Sequence, residues 1–471
     1  MAPDADNIQQ TSQMRVSDSE DITISNGSFV ATSEKVDGAD EKAPNASTDV
    51  ENVAQTAQAE PQRVVGPSPP PNGGLVAWLH VFGGFMLFFN TWGILNAFGV
   101  FQTYYESEQL FVRSSSDISW IGSIQSFLVL LGGVFAGPVY DRGYLRHLLI
   151  VGSFGIVFGH MMLSLCTQYW EVVLAQGICV GLSAGMLFVP CVSIIPTYFS
   201  TKLGLAVGLA SAGSSVGGVI YPIVLYQLLY VHNIGFAWAV RVMGFIALGT
   251  LLIPICVMRM RVKPPKARSP VDWTAFRDIP YMAFTFTTFI GFMGLSILIF
   301  YISYYPQEQG LTDTALSFYM VPIFNAASCF GRVIPNAVSD KVGAFNVVAP
   351  CSLITGILML CMMTAHTRGS VIAIAVLAGF FSGVFIAMPP VCFVPLTKDK
   401  SKLGTRIGMG FGIIALGLLV GGPVAGAILG ETKPLDWDGL WGFGGGVATL
   451  SGILYGVLRV YRSGFALNVK A

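Results

Sequence analysis

The sequence predicts an all-α membrane protein: twelve transmembrane helices in two six-helix pseudo-repeats, with N- and C-termini cytosolic. Three observations carry that expectation. From Leu75 to about Arg462, apolar stretches alternate with short breaks, and each stretch is long enough for a bilayer core, which takes about 20 apolar residues per helix. Basic residues gather in every second loop. Marks in the first half of the chain return in the second. Composition agrees: 53% of residues are hydrophobic, 11% are charged, and mean hydropathy is +0.65. A soluble domain could not keep that much apolar surface from water.

Taken in order, residues 1–74 hold 12 acidic residues against four basic ones (Arg15, Lys35, Lys42, Arg63) and no apolar run. Such a segment cannot offset its ordering entropy by burial, which predicts a disordered cytosolic tail. Lacking an apolar h-region, it is not a signal peptide. Its two sequons, at Asn26 and Asn45, read as chance matches in a cytosolic segment. Spans are expected over 75–99, 118–140, 147–166, 171–194, 203–229, 235–258, 281–304, 314–339, 345–364, 370–394, 405–429 and 441–461. The first six form a bundle over 75–258 and the last six a bundle over 281–462. Between them, residues 259–280 contain Lys263-Pro-Pro-Lys-Ala-Arg-Ser-Pro270, whose prolines and charges mark a cytosolic linker. Residues 463–471 are a short cytosolic tail.

Orientation follows from charge. With the N-terminus inside, the inward loops and C-tail carry 17 Lys and Arg, and the outward loops carry three: Arg113, Arg368 and Lys433. The positive-inside rule selects that topology. The eight cysteines fall within apolar spans with no CxxC pair and no metal-ligand spacing, as expected of small thiols packing between helices. No cofactor is implied.

The repeat is specific. Lys202-Leu-Gly204 with Gly208 returns as Lys402-Leu-Gly404 with Gly408, each followed by a glycine pair (Gly217-Gly218, Gly421-Gly422). Gly177, Gly181 and Pro190 have counterparts in Gly379, Gly383 and Pro390. Gly137-Pro-Val-Tyr-Asp141-Arg-Gly143 matches Val338-Ser-Asp340-Lys-Val-Gly343. Parallel repeats about an axis along the membrane normal are a transporter architecture.

The Gly137–Gly143 segment resembles the loop signature of the major facilitator superfamily (MFS). Asn72-Gly-Gly-Leu-Val-Ala-Trp78, Phe98-Gly-Val-Phe101 and Tyr198-Phe-Ser-Thr-Lys-Leu-Gly-Leu-Ala-Val-Gly-Leu-Ala-Ser-Ala-Gly213 resemble its monocarboxylate-porter branch, fungal members above all. The resemblance covers about residues 72–462. It implies the MFS fold, alternating access by two rocking bundles, and a central cavity lined by spans 1, 4, 7 and 10. It also implies that Gly137, Asp141 and Arg142, with Asp340 and Lys341, gate one access state from the cytosolic mouth.

Charge within the membrane is the best pointer to a site, since each ionisable group there costs a few kcal/mol. Arg332 lies deep in span 8, and no Asp or Glu is expected near the middle of any span. A guanidinium without a carboxylate invites an anion held in its fork, so Arg332 is the candidate substrate-binding residue. The competing reading is that it bonds helix carbonyls or Asp340 and braces span 8. The resemblance matches Arg332 to an arginine that acid-carrying members use. Those members also have an aspartate one turn earlier and a lysine at the outer end of span 1, where this chain has Ser328 and Thr103. Both departures argue against a proton-coupled, lactate-type mechanism.

Asn90 and Asn325 are the deepest neutral hydrogen-bonders and join Arg332 as substrate-binding candidates; helix–helix glue is the alternative for each. Asn96, Tyr301 and Tyr304 are further hydrogen-bonders. Arg241 is close enough to the outer interface to snorkel. His80 and His160 are the residues that could relay a proton, with plain packing the simpler role. Gly204, Gly208, Gly213 and Gly217 are expected on one face of span 5 as a close-packing surface.

The resulting expectation is a secondary active transporter of an organic anion or acidic metabolite, with efflux of a secondary metabolite preferred. Uptake of a small monocarboxylate or other nutrient is the alternative within that class, and a non-transporting sensor on the same fold the alternative outside it. The expected partners are the anionic cargo, the bilayer of the plasma or vacuolar membrane, and protons if transport is coupled to them; nucleic acid is not among them. The chain has no HExxH or GxxxxGK[ST] motif, and its two GxSxG matches, Gly181–Gly185 and Gly213–Gly217, fall inside apolar helical spans rather than at a strand-to-helix turn, so an enzyme or ATP-driven pump has no support.

Overall fold

The computed structural model describes residues 70–107, 110–261, 271–399 and 402–464. Most of the acidic N-terminal tail, the Pro-rich middle of the linker and most of the C-tail lie outside the described residues. Twelve helices are long and apolar enough to cross a membrane: Leu75–Glu106, Ser115–Asp141, Leu145–Leu163, Tyr169–Tyr198, Leu203–Val231, Phe236–Val257, Ile279–Tyr301, Thr314–Val342, Ala344–Thr364, Arg368–Ala387, Leu403–Leu429 and Trp437–Ser463. They are spans 1 to 12. No strand occurs among the described residues.

Two boundaries differ instructively from expectation. Span 1 runs on to Glu106, with breaks at Thr91 and Ala97, because its last turns stay buried and apolar through Tyr105. Span 10 stops at Ala387, and a separate short helix covers Pro389–Leu396. Two consecutive prolines remove two backbone donors and crowd the preceding turn.

One end of the bundle carries Asp141, Lys202, Asp340 and Lys402 (the Asp340 end). The other carries Glu106, Ser115, Tyr301 and Thr314 (the Tyr301 end). Three helix starts at the Tyr301 end are capped by side chains: Ser114 accepts from Asp117 N–H, Asp313 from Leu316 N–H and Asp436 from Gly439 N–H. Each supplies an acceptor to an orphan donor of the first turn.

Spans 1–6 meet spans 7–12 along two seams, span 5 on span 8 and span 2 on span 11. Glycine sets both distances of approach. A Cβ on Gly204 would sit 2.6 Å from the Asn336 carbonyl oxygen and from Asp340 Oδ1, and one on Gly208 2.7 Å from the Arg332 carbonyl oxygen. Gly213 and Gly217 instead press against the Phe85 and Phe89 carbonyls of span 1. The expected single glycine face is therefore two opposed faces. Nine residues separate Gly204 from Gly213, and at 3.6 residues per turn that is about two and a half turns. Span 5 is thus clamped between spans 1 and 8.

The two motifs behind the family resemblance touch. Asn72 Oδ1 accepts from Ser200 N–H at 2.7 Å and Thr201 N–H at 2.9 Å, and the Trp78 and Phe199 rings lie 5.0 Å apart. The lead-in to span 1 staples the turn between spans 4 and 5.

Candidate functional site

At the Asp340 end a cavity of about 250 Å³ lies between spans 2, 4 and 11. Span 2 contributes Leu130, Val134 and Pro138, span 4 Phe188 and Val192, and span 11 Ile407, Gly408 and Phe411. Ser193 and Thr405 add hydroxyls, and no charged side chain lines it. The internal repeat explains why the space is there. Gly213, Gly217 and Gly218 correspond in their contacts to Gly417, Gly421 and Gly422, which press on Phe289, Met293 and Phe300. That register is shifted by four residues from the sequence match of Gly204 with Gly404 and of Gly208 with Gly408, and by contacts it pairs Gly204 with Gly408 instead. Gly204 is pressed against span 8, whereas Gly408 has nothing within 4 Å. One seam is closed at the Asp340 end and the equivalent part of the other stands open.

The cavity has an aromatic roof. Phe188 meets Phe411 edge-on at 5.4 Å, and Trp92 of span 1 backs Phe188 at 6.1 Å and Phe292 of span 7 at 6.4 Å. Beyond the roof the two sets of helices touch, beneath a polar cleft of about 640 Å³ at the Tyr301 end that is lined by Thr103, Glu106, Arg113, Tyr304 and Glu308. Ser119 and Tyr301 hydroxyls lie 2.7 Å apart across the seam, Ser116 donates to the Pro423 carbonyl at 3.1 Å, and Phe98 packs on Phe300 at 4.8 Å.

Of the substrate-binding candidates, none lines this cavity. Arg332 is buried and faces span 5: Nη1 donates to the Ser211 carbonyl at 3.1 Å and to Ser214 Oγ, and Nε to Ser328 Oγ at 3.3 Å. Its partners are neutral, and the bond to a helix carbonyl is the bracing contact that sequence left open. Asp340 does not meet Arg332 in these bonds. Asn90 is spent within spans 1, 5 and 6: its amide donates to the Met86 carbonyl and Thr250 Oγ1, and its oxygen accepts from Tyr221 at 2.7 Å. These are the bonds of the helix–helix glue that sequence held as the alternative to substrate contact. Asn325 donates to the Val321 carbonyl at 3.0 Å, while its Oδ1 is buried beside Gly218 without a hydrogen-bond partner among the described residues.

The gating candidates divide. Gly137 lines the cavity. Asp141 is buried, and Arg142 and Lys341 are exposed. Asp340 accepts from the Gly204 and Leu205 N–H groups at 3.0 and 3.1 Å. A carboxylate of span 8 thereby caps span 5, where the helix dipole favours negative charge.

His160 is buried and bonds the Ile156 carbonyl at 2.8 Å. His80 donates from Nδ1 to the Val76 carbonyl at 2.8 Å, accepts at Nε2 from Arg259 N–H at 3.0 Å, and stacks on Tyr198. Both make the contacts of packed histidines. Arg241 donates to Ser164 at 2.9 Å and lies over Trp238.

A charged cluster that sequence reasoning missed holds the start of span 11. Asp272, just before a short helix at Trp273–Arg277, accepts from Lys402 at 3.2 Å and Arg406 at 3.1 Å, and Arg406 also reaches Asp278 at 2.7 Å. Tyr281 donates to the Arg406 carbonyl at 2.7 Å. Burial pushes the Asp272 carboxyl up, but hydrogen bonds from Thr274, Arg406 and Lys402 outweigh it and hold it down to about 2. Lys402 and Arg406, four apart on one face, were the available signal; sequence counted them only as loop charges. The far side of the same turn, Leu403 and Gly404, lines the cavity.

Twelve membrane-length helices in two sets of six, meeting along seams with a cavity between them, have the architecture of a membrane transporter. The chain belongs to the Major Facilitator Superfamily, which matches residues 78–365. Among its relatives, the MFS-type transporter dbaD of Emericella nidulans is 65% identical over 383 residues, covering 81% of this chain and 86% of the relative. The MFS-type transporter eupM of a Phoma species is 60% identical over 222 residues, 47% of this chain and 78% of the relative. The aspyridones efflux protein apdF of Emericella nidulans is 40% identical over 371 residues, 79% of this chain and 75% of the relative.

Proposed function

We propose that this chain exports a secondary metabolite with an apolar, ring-bearing body and an acidic group. Spans 1–6 and 7–12 act as two bundles rocking about the seams, with the Asp340 end facing the cytosol. The observation carrying this reading is the cavity: apolar and hydroxyl-lined, roofed by Phe188 and Phe411, and open at the basic end of the molecule. Such a lining suits an apolar body with few polar groups and suits a small hydrated acid poorly. The name of apdF, an aspyridones efflux protein, supports outward transport. The motifs at spans 1 and 5 support a place beside the monocarboxylate porters.

Arg332 is the proposed anchor for the acidic group, because the three groups it bonds are all uncharged. Gly137, Asp141, Arg142, Asp340 and Lys341 are the proposed gate. The driving energy is a gradient across the membrane. The test is deletion of the gene in its own host, with mass spectrometry of mycelium and medium. A host metabolite should shift from medium to mycelium and return on complementation. Unchanged partition of every detected metabolite, with lost growth on a monocarboxylate, would replace export with uptake.

A further inference from the structure

Arg332 is neither free nor neutralised. Its Nη1 is committed to Ser211 and Ser214 of span 5, its Nε to Ser328 one turn away, and its Nη2 makes no hydrogen bond among the described residues. A guanidinium fork presents five donors suited to a carboxylate or enolate. Here that fork is part-filled by neutral oxygens of the protein itself. Ser214 is the node of this contact. Its hydroxyl meets Arg332 and donates to the Ser211 carbonyl at 2.5 Å, and its own carbonyl accepts from Asn96 of span 1 at 3.5 Å. Spans 1, 5 and 8 converge on this one serine.

The surroundings point to a ligand that is not protein. Asn96 Oδ1 and Asn325 Oδ1 are buried acceptors with no hydrogen-bond partner among the described residues. Asn96 reaches the Ser214 carbonyl, and Asn325 lies two turns along span 8 from Arg332, against Gly218 of span 5. Buried polar groups are nearly always paired; Asn96 and Asn325 lie on spans 1 and 8, which both meet the span that carries Ser214, so a molecule with an acidic group and a hydroxyl or amide donor would find partners there once the seam parts.

We infer that Ser214 is an internal stand-in for the cargo's acidic group, occupying Arg332 until an anion displaces it and releases span 8 from span 5. This rests on the assignment of Arg332 as the anion anchor. Ser214 acts through Arg332 and is a positioning residue. The inference explains how a buried arginine persists without a carboxylate, and it couples cargo binding to the seam: the anion takes the mid-span bonds between spans 8 and 5, leaving those that Asp340 makes at the other end.

The test uses the purified full-length chain in detergent, with salicylate as a ring-bearing carboxylate and salicylamide as its neutral counterpart, and reads binding calorimetrically. Ser214→Ala removes the stand-in, and its hydrogen bond to a charged group, with little change in volume, so salicylate should bind about ten- to a hundredfold more tightly than to the wild type. Salicylamide affinity should not change, and Ser214→Thr, which keeps the hydroxyl, should behave as wild type. A structural role alone would move both ligands together. Equal salicylate affinity in wild type and Ser214→Ala, with salicylate still preferred over salicylamide, overturns the stand-in and leaves the anchor. Equal affinity for acid and amide in both proteins, or no salicylate binding to Ser214→Ala at millimolar concentration, overturns the anchor as well.

Discussion

Replacing Asp272 by Asn tests the charged strap that holds the start of span 11. The Asp272 side chain is 5% exposed and accepts from Lys402, Arg406 and Thr274. Its carboxyl falls from an ordinary 3.8 to about 2, which at 1.36 kcal/mol per pKa unit is about 2 kcal/mol favouring the charged form in the fold. The sign follows from linkage. A group whose folded pKa is depressed contributes fully above its unfolded value, and the contribution is lost as pH falls through the folded value. The whole amount is therefore present at pH 7 and at pH 5, and it fades only between about pH 4 and 2. Asp272→Asn should lower the thermal midpoint of the detergent-solubilised protein by a few degrees, by the same amount at both pH values. A midpoint within a degree of wild type would refute the strap's energetic role. A deficit present at pH 7 and absent at pH 5 would refute the titration assigned to Asp272.

Three further outcomes follow from the seams. Gly408→Trp should fold normally, because Gly408 faces open space, yet it should fill the cavity and abolish the proposed export, read as the medium-to-mycelium ratio of the metabolite that gene deletion displaces. Gly213→Ala should lower stability by about 1–3 kcal/mol in a melt, since its methyl group overlaps the Phe85 carbonyl and overpacking costs that much. Tyr301→Phe leaves the Ser119 hydroxyl without its partner across the seam, a loss of about 1–3 kcal/mol from the state in which that seam is closed. In a cysteine-depleted background it should speed alkylation of Ser123→Cys, which is otherwise buried.

Twelve spans, their order and the duplication were legible in the chain because each depends on local quantities: run length, the gap between runs, and short motifs that return in order. The depth of Arg332 and the absence of a nearby acid in its own span were equally local. Its partners were not. Ser211 and Ser214 are more than a hundred positions away, and nothing in their own spacing marks them as ligands for a guanidinium. The glycines of span 5 show the same limit, since counting turns places Gly204 and Gly213 on opposite faces, but only packing says that one face meets span 8 and the other span 1. Asp272 and Arg406 were hidden more simply, as ordinary charges in a charged loop until the chain folded one onto the other.

By itself the sequence determined that this protein lives in a bilayer as a duplicated helical bundle, because hydrophobic length and repetition are properties of contiguous residues. Tertiary structure alone decided which seam is shut, where the empty space lies and what the buried arginine touches. Those depend on contacts between helices far apart in the chain, and two copies of one motif can then take up unlike surroundings, as Gly204 and Gly408 do.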